Sequence, residues 1–255
     1  MVDRAAVSRV LSAPSLGYVD RANAALDQLV VREAPHLGTA ATWMADAIAA
    51  GGLVRAFGTG HSHLLVEDMF YRAGGLATVD AILEDSVSGY HDVTKSEHVE
   101  RLEGFGELIV AHRRMAPPDM LLVFSQSGRN AVPIEVAEAA RRRGLRVVAV
   151  TSLLHARGQT SRHSSGRHLH DVVDLVIDTG TPLGDCAVTL PGDTPMGPLS
   201  TVIGSAVAQI LVIETAQLLL SRGIEPPVFR SGNMDGGREW NDRLLARYWG
   251  RIPGW

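Results

Sequence analysis

The chain has 255 residues, 45% hydrophobic and 20% charged, with a formal net charge of −4. That composition fits an ordinary globular protein of one large or two small domains. The acidic balance argues against nucleic acid as a partner, which calls for a basic face. One cysteine, Cys186, excludes an intrachain disulfide and suits a reducing cytosol.

The N-terminus lacks a signal-peptide core, and the most apolar stretch, Leu199 to Leu220, carries Gln209, Glu214 and Gln217. The expectation is a buried helix rather than a membrane span, and a cytoplasmic protein. Arginine carries nearly all the basic charge; Lys95 is the only lysine.

In chain order, Gly17 to Glu33 and Pro35 to Ala50 show helical spacing of apolar residues, with Pro35 expected to break them into two helices. This helical arm, residues 1–50, is expected to pack on the domain or on a second subunit. Leu53 to Phe57 reads as a strand, followed by the loop Gly58-Thr-Gly-His-Ser-His63 and a helix to about Ala73. Leu76 to Leu83 is a second strand, residues 84–100 a long polar loop, and Arg101 to Arg114 a helix stopped before Pro117-Pro118.

The most informative stretch is next. Met120 to Phe124 is a short apolar run, suited to a strand buried on both faces. Ser125-Gln-Ser-Gly-Arg-Asn130 follows it, then a helix from Ala131 to Arg143 with Pro133 in its first turn. A strand, a hydroxyl-rich loop and a helix N-terminus together make an anion site. Ser125 and Ser127 can donate, Gly128 lets the backbone approach a ligand, and the reading is a phosphate cradle.

Leu145 to Thr151 is another buried strand, Ser152 to Asp171 a long polar loop with His155, His163, His168 and His170, and Val172 to Asp178 a further strand. Within 178–198, rich in Gly, Pro and Asp, Cys186 to Leu190 reads as a short edge strand. A helix from Leu199 to Arg222 and a tail, residues 223–255, with a last helix from Arg238 to Trp249, complete the chain. Alternating strands and helices predict an α/β fold: a doubly wound, parallel, five-stranded sheet in the flavodoxin-like order 2-1-3-4-5, with helices on both faces. The loops at Gly58–Ser62 and Ser125–Asn130 then flank the topological switch point, where such folds bind ligands.

These two loops, the element order and Gly197-Pro-Leu-Ser-Thr201 resemble the sugar isomerase (SIS) domain family. Phe70-Tyr-Arg-Ala-Gly-Gly75, Thr160-Ser-Arg-His-Ser-Ser-Gly166 and Gly223-Ile-Glu-Pro-Pro-Val-Phe229 are closer still to its UPF0309 subgroup. The resemblance implies a SIS phosphosugar-binding domain over residues 51–222 and a phosphorylated sugar as partner. Its loop positions imply contacts from Gly60, His61, Ser62, Ser125, Gln126, Ser127, Gly128 and Asn130, with Ser200 and Thr201 as a further wall. Asn130 stands where the family signature has threonine; an amide donates as well. The resemblance also implies a homodimer or homotetramer with shared sites. The tail loop with Asn233 and Asp235 either reaches a neighbouring subunit's site or is an ordinary Asx turn.

Other chemistries fit less well. Gly58-x-Gly60 begins a dinucleotide fingerprint, but His63 replaces the third glycine, and Asp80 lacks support as a ribose ligand. No Gly-x-Ser-x-Gly elbow surrounds Ser127. No Cys/His set has structural-zinc spacing, so neither metal nor cofactor is expected. Lys95 lies in a polar loop with nothing to depress its pKa for Schiff-base chemistry.

Interconverting an aldose and a ketose phosphate needs a base that moves a proton between adjacent carbons, and a group that assists ring opening. Glu67, four residues after His63, shares its helix face, and Glu84 follows the second strand. These place Glu67 as the expected base, His63 as its assistant and Glu84 as an alternative near the crevice. Glu214, far down an apolar helix, reads as a paired core carboxylate. The expected function is a sugar-phosphate isomerase; the alternatives are a non-catalytic phosphosugar sensor and an amino-sugar-phosphate etherase or lyase.

Overall fold

The computed structural model describes residues 10–253. Its central sheet holds five parallel strands: β1 (Val54–Gly58), β2 (Val79–Ile82), β3 (Met120–Phe124), β4 (Arg146–Thr151) and β5 (Leu175–Asp178). Their order is β2-β1-β3-β4-β5, as the pattern of elements predicts. Register places Val54 opposite both Val79 and Met120, and Met120 opposite Arg146.

The apolar runs are continuous because each strand feeds two cores. Met120, Leu122 and Phe124 join Val54, Ala56, Val148 and Val150 on one face, while Leu121 and Val123 join Phe57, Val147 and Ala149 on the other. Side chains alternate with period two, so a strand covered on both faces must be apolar throughout. Helices α1 (Ala13–Ala49), α2 (Ser62–Met69) and α7 (Ser200–Ser221) cover the first face. Helices α4 (Phe105–His112) and α5 (Ala131–Arg142) cover the second.

Helix α1 corrects the expectation of two helices: it runs unbroken for 37 residues with Pro35 inside. Proline removes one N–H and leaves the carbonyl four residues earlier unpaired. Here Pro35 and Val31 both lie on the exposed side, where water can serve that carbonyl. The opposite stripe, from Leu29 through Leu37, Ala41 and Met44, is buried against α7 and the sheet.

Two segments read as loops are partly ordered. Residues 84–100 contain a 3₁₀ turn (Asp85–Val87) and helix α3 (Val93–Val99), capped by Asp92 accepting from the Lys95 amide at 3.0 Å. Residues 152–171 contain the short helix α6 (Leu153–Arg157), capped by Ser152, and a 3₁₀ turn at Leu169–Asp171. The strand at β6 (Cys186–Leu190) has a partner, β7 (Thr194–Pro198), in an antiparallel hairpin. Two prolines in β7 hid it, since proline removes ladder donors and reads as a strand breaker.

Helix α7 is long and apolar enough to cross a membrane by composition, yet here it is packed. Gly204 lies against the Leu65 side chain, and Thr215 Oγ1, which donates to the Leu211 carbonyl at 2.6 Å, lies 3.5 Å from the Ala41 carbonyl of α1. Glu214 is exposed, so the paired core carboxylate expected there is not found.

The tail folds back on the β2 edge. Helix α8 (Gly237–Tyr248) places Leu244 and Tyr248 with Leu53, Ala77, Phe229 and Ile252 in a small separate core. Trp240 Nε1 donates to the Val228 carbonyl at 2.9 Å.

At the amino ends of the strands, opposite the predicted site, sits a buried ion cluster. Arg55 donates to Asp119 Oδ2 from Nε at 3.0 Å and from Nη2 at 2.8 Å, to the Arg114 carbonyl at 3.0 Å, and to Asp80. Asp80 is therefore a structural ion-pair partner at the end of the sheet away from the switch point.

Candidate functional site

A cavity of about 390 Å³ opens at the carboxyl ends of β1 and β3, within the range of small-molecule sites. Two neighbouring parallel strands whose following helices pack on opposite faces of the sheet leave a crevice between their loops. Gly60, His61 and Ser62 line it from the β1–α2 loop, and Ser125, Gln126, Ser127 and Asn130 from the β3–α5 loop. Ser200 and Thr201 close it from the start of α7.

The two loops offer different donors. In the first, Gly60 N–H donates to the Val87 carbonyl at 2.8 Å, Ser62 N–H to Thr59 at 3.0 Å and His63 N–H to Gly60 at 3.1 Å. Its amides at those positions are occupied, while the Ser62 hydroxyl has no hydrogen-bond partner among the described residues. In the second, the Ser127 hydroxyl and the amides of Ser127 and Asn130 have no hydrogen-bond partner among the described residues. They lie at the N-terminus of α5, where the helix dipole favours an anion.

The remaining loop residues hold this shape. Gly128 does not line the cavity. Its φ of 59° turns the chain, its N–H donates to Ser125 Oγ at 3.3 Å and its carbonyl accepts from Leu169 N–H at 2.8 Å. A Cβ there would stand 3.0 Å from Thr151 Oγ1. The Gln126 side-chain amide is tied to Thr181 and accepts from Thr179 Oγ1 at 3.5 Å. Asn130 caps α5 without a side-chain cap bond; its Oδ1 accepts from Arg162 Nη1 at 3.0 Å, which orients its NH₂ group. Ser200 is a wall rather than an anion donor. Its hydroxyl donates to Asp185 Oδ2 at 2.5 Å, and Asp185 Oδ1 accepts from the Leu199 and Ser200 amides at 3.2 and 2.8 Å. The protein's own carboxylate thus fills the N-terminus of α7.

The three residues expected to carry chemistry are not in the cavity lining. His63 is buried on α2 with its ring edge-on to Tyr90, and its Nε2 is 3.6 Å from Glu67 Oε1. Glu67 is half-exposed on the same helix. Glu84 accepts from Ser86 Oγ at 2.7 Å and faces a separate depression lined by Phe105, His112 and Arg113. An i, i+4 spacing fixes that two residues share a helix face but not which face meets the crevice, and α2 turns this one away from it. Lys95 is exposed on α3, and neither Asn233 nor Asp235 lines the cavity; Asn233 N–H donates to Ser231 Oγ at 3.3 Å.

Instead the cavity holds Glu100, Thr59, His155 and Asp185. Thr59 Oγ1 donates to Glu100 Oε1 at 2.5 Å, and the Glu100 carbonyl accepts from Val132 N–H at 3.1 Å in the first turn of α5. Glu100 is therefore tied to the first loop and to α5 at once. Burial first, then the nearby Arg129 guanidinium, pushes the His155 imidazole below its ordinary value, with Asp185 pulling the other way; it stands neutral at pH 7. Its Nδ1 is buried without a partner. Burial, then Arg101 and Arg129, lowers Arg162 as well, and it stays charged. Neither Glu100 nor His155 carries a motif: both sit in segments that read as plain polar loops. Among the described residues no three His, Cys, Asp or Glu side chains gather as metal ligands.

Comparison with known proteins agrees with this architecture. A family model described as SIS domain matches residues 17–152. A UPF0309 protein of Geobacillus kaustophilus is 42% identical over 92% of this chain and 94% of its own length. One from Streptomyces coelicolor is 41% identical over 94% and 96%. Among solved structures, a phosphoheptose isomerase from Francisella tularensis covers 85% of this chain and 100% of its own, with TM-score 0.51 and 16% identity. The Vibrio vulnificus NanR protein complexed with ManNAc-6P covers 95% and 73%, with TM-score 0.54 and 13% identity. The sheet order, the matched profile and the full-length relatives together place this chain in the SIS domain family, among its UPF0309 members.

Proposed function

We propose that the cavity binds a phosphorylated sugar and that the protein interconverts aldose and ketose phosphates. The observation that carries the binding half is the pairing of free donors. Ser62 Oγ on one loop and Ser127 Oγ, Ser127 N–H and Asn130 N–H on the other converge on one crevice at a helix N-terminus. A phosphate has acceptor oxygens on all sides and matches such a set. The volume leaves room for a sugar beyond the phosphate. The isomerase half draws support from a carboxylate, Glu100, and a neutral imidazole, His155, lining the same cavity. The fold-level likeness to a phosphoheptose isomerase and to a NanR protein complexed with ManNAc-6P accords with the ligand class.

A sensor without catalysis is the second reading, favoured by the absence of His63, Glu67 and Glu84 from the lining. A thermal-shift screen tests the ligand class, using a pentose 5-phosphate, a hexose 6-phosphate and an N-acetylhexosamine 6-phosphate beside their unphosphorylated sugars. A ligand at a hundred times its Kd adds about 2.7 kcal/mol. For a chain of this size that is a rise of roughly 5–10 °C in Tm. The expected result is a rise with at least one phosphorylated sugar and none with its parent. Incubation of that ligand then separates the readings: a ketose product supports the isomerase, an elimination product a lyase, and unchanged ligand the sensor.

A further inference from the structure

We infer that Glu100 is the carbon-acid base of this site and that Thr59 is its positioning residue. The inference rests on the isomerase reading above.

Of the two carboxylates lining the cavity, only one is available. Asp185 already accepts from two amides and from Ser200, whereas Glu100 has one side-chain donor, Thr59, on Oε1. Its Oε2 has no hydrogen-bond partner among the described residues. Thr59 is buried and rigidly placed at the end of β1, so its short hydrogen bond to Glu100 sets the direction in which Oε2 points. The Glu100 backbone, bonded to the first turn of α5, is fixed relative to the phosphate donors. A carboxylate anchored both to the loop bearing Ser62 and to the helix that receives the phosphate keeps one geometry toward a sugar held there. A catalytic base needs that pre-organisation.

The step balances within the carbohydrate. With the open-chain aldose phosphate bound, Glu100 takes the proton from C2. That C–H electron pair forms the C1=C2 bond, and the carbonyl oxygen O1 takes a proton from water. Glu100 then returns its proton to C1. The O2 hydroxyl releases its proton to water as C2=O forms. Hydrogen has moved from C2 to C1, and no oxidant or reductant is needed.

The test uses Glu100→Gln, whose amide oxygen can still accept from Thr59, with turnover and solvent-deuterium incorporation at C1 and C2 measured on the sugar phosphate found in the screen. General-base loss costs on the order of 10²–10⁴-fold in rate. The expected result is a fall of that size in both readouts with Kd unchanged. Thr59→Val should lower kcat with KM unchanged, and Thr59→Ser should restore it, which a merely structural role would not produce. A wild type that turns over alongside an E100Q variant equally active in exchange overturns the Glu100 assignment and leaves the isomerase reading intact. A wild type that binds the ligand but shows neither turnover nor exchange overturns the isomerase reading and Glu100 with it. If E100Q fails to fold, Thr59→Val decides: an unchanged kcat overturns the assignment.

Discussion

Arg55→Met is expected to lower folding stability by about 3–5 kcal/mol, the cost of leaving a buried charge without its partner. Arg55 is the hub of the cluster beneath the sheet, bonded to Asp80, Asp119 and the Arg114 carbonyl; Asp80 is buried and Asp119 partly so. Methionine keeps the length and the apolar stem but removes every donor. The loss should depend on pH. Burial already pushes the Asp80 carboxyl above its ordinary range, against the pull of Arg55 and Arg113. A group whose folded pKa is raised favours the fold below its unfolded pKa, and that gain disappears as pH rises through the folded value. Without Arg55 that raised value moves higher. The deficit is thus largest near neutrality and shrinks in acidic buffer as pH falls through that raised value. Urea denaturation of both proteins at the two pH values measures it. A deficit under about 1 kcal/mol, the scale of an exposed ion pair, or one that grows on acidification, contradicts this account.

Gly58→Ala is expected to abolish phosphosugar binding while costing the fold about 1–3 kcal/mol, the usual range for overpacking. A Cβ at Gly58 would lie 2.5 Å from the Ser62 carbonyl oxygen and 2.7 Å from its carbon. These are backbone atoms of the loop itself, so the loop must move, and Ser62 and Thr59 move with it. Gly51→Ala is the control. Its φ of 84° carries a left-handed strain, but nothing stands within 4 Å of the added carbon, and it lies outside the cavity lining. Calorimetric titration of both variants should show binding lost in the first and kept in the second. Wild-type affinity in Gly58→Ala would mean that the loop is not part of the site.

The sheet and the two loops that flank its crevice were legible because their signals are local. Met120 to Phe124 had to be a doubly buried strand, and a serine-rich turn before a helix had to present donors, whatever else the chain did. The order 2-1-3-4-5 then brought Ser62 and Ser127 together. What sequence could not supply was facing. His63 and Glu67 share a face of α2, but only packing against Tyr90 shows that this face turns from the crevice. Glu100 enters the site through two long-range bonds, to Thr59 and Val132, which no spacing encodes. Pro35 misled for a similar reason: its cost depends on whether the freed carbonyl meets solvent, a property of the packed helix. The pairing of Arg55 with Asp80 was not read from the sequence; strand register brings the two side chains together.

Isothermal titration of a matched pair, a sugar phosphate and the same sugar without its phosphate, against wild type and the Ser62→Ala/Ser127→Ala double variant tests the central claim most directly. Each lost hydrogen bond to a charged group is worth about 1.5–3 kcal/mol, so the double variant should bind the phosphorylated sugar at least about a hundredfold more weakly. The unphosphorylated sugar should show no saturable heat with either protein. Equal affinity of wild type and double variant for the phosphorylated sugar, or equal binding of the two sugars, would contradict the account.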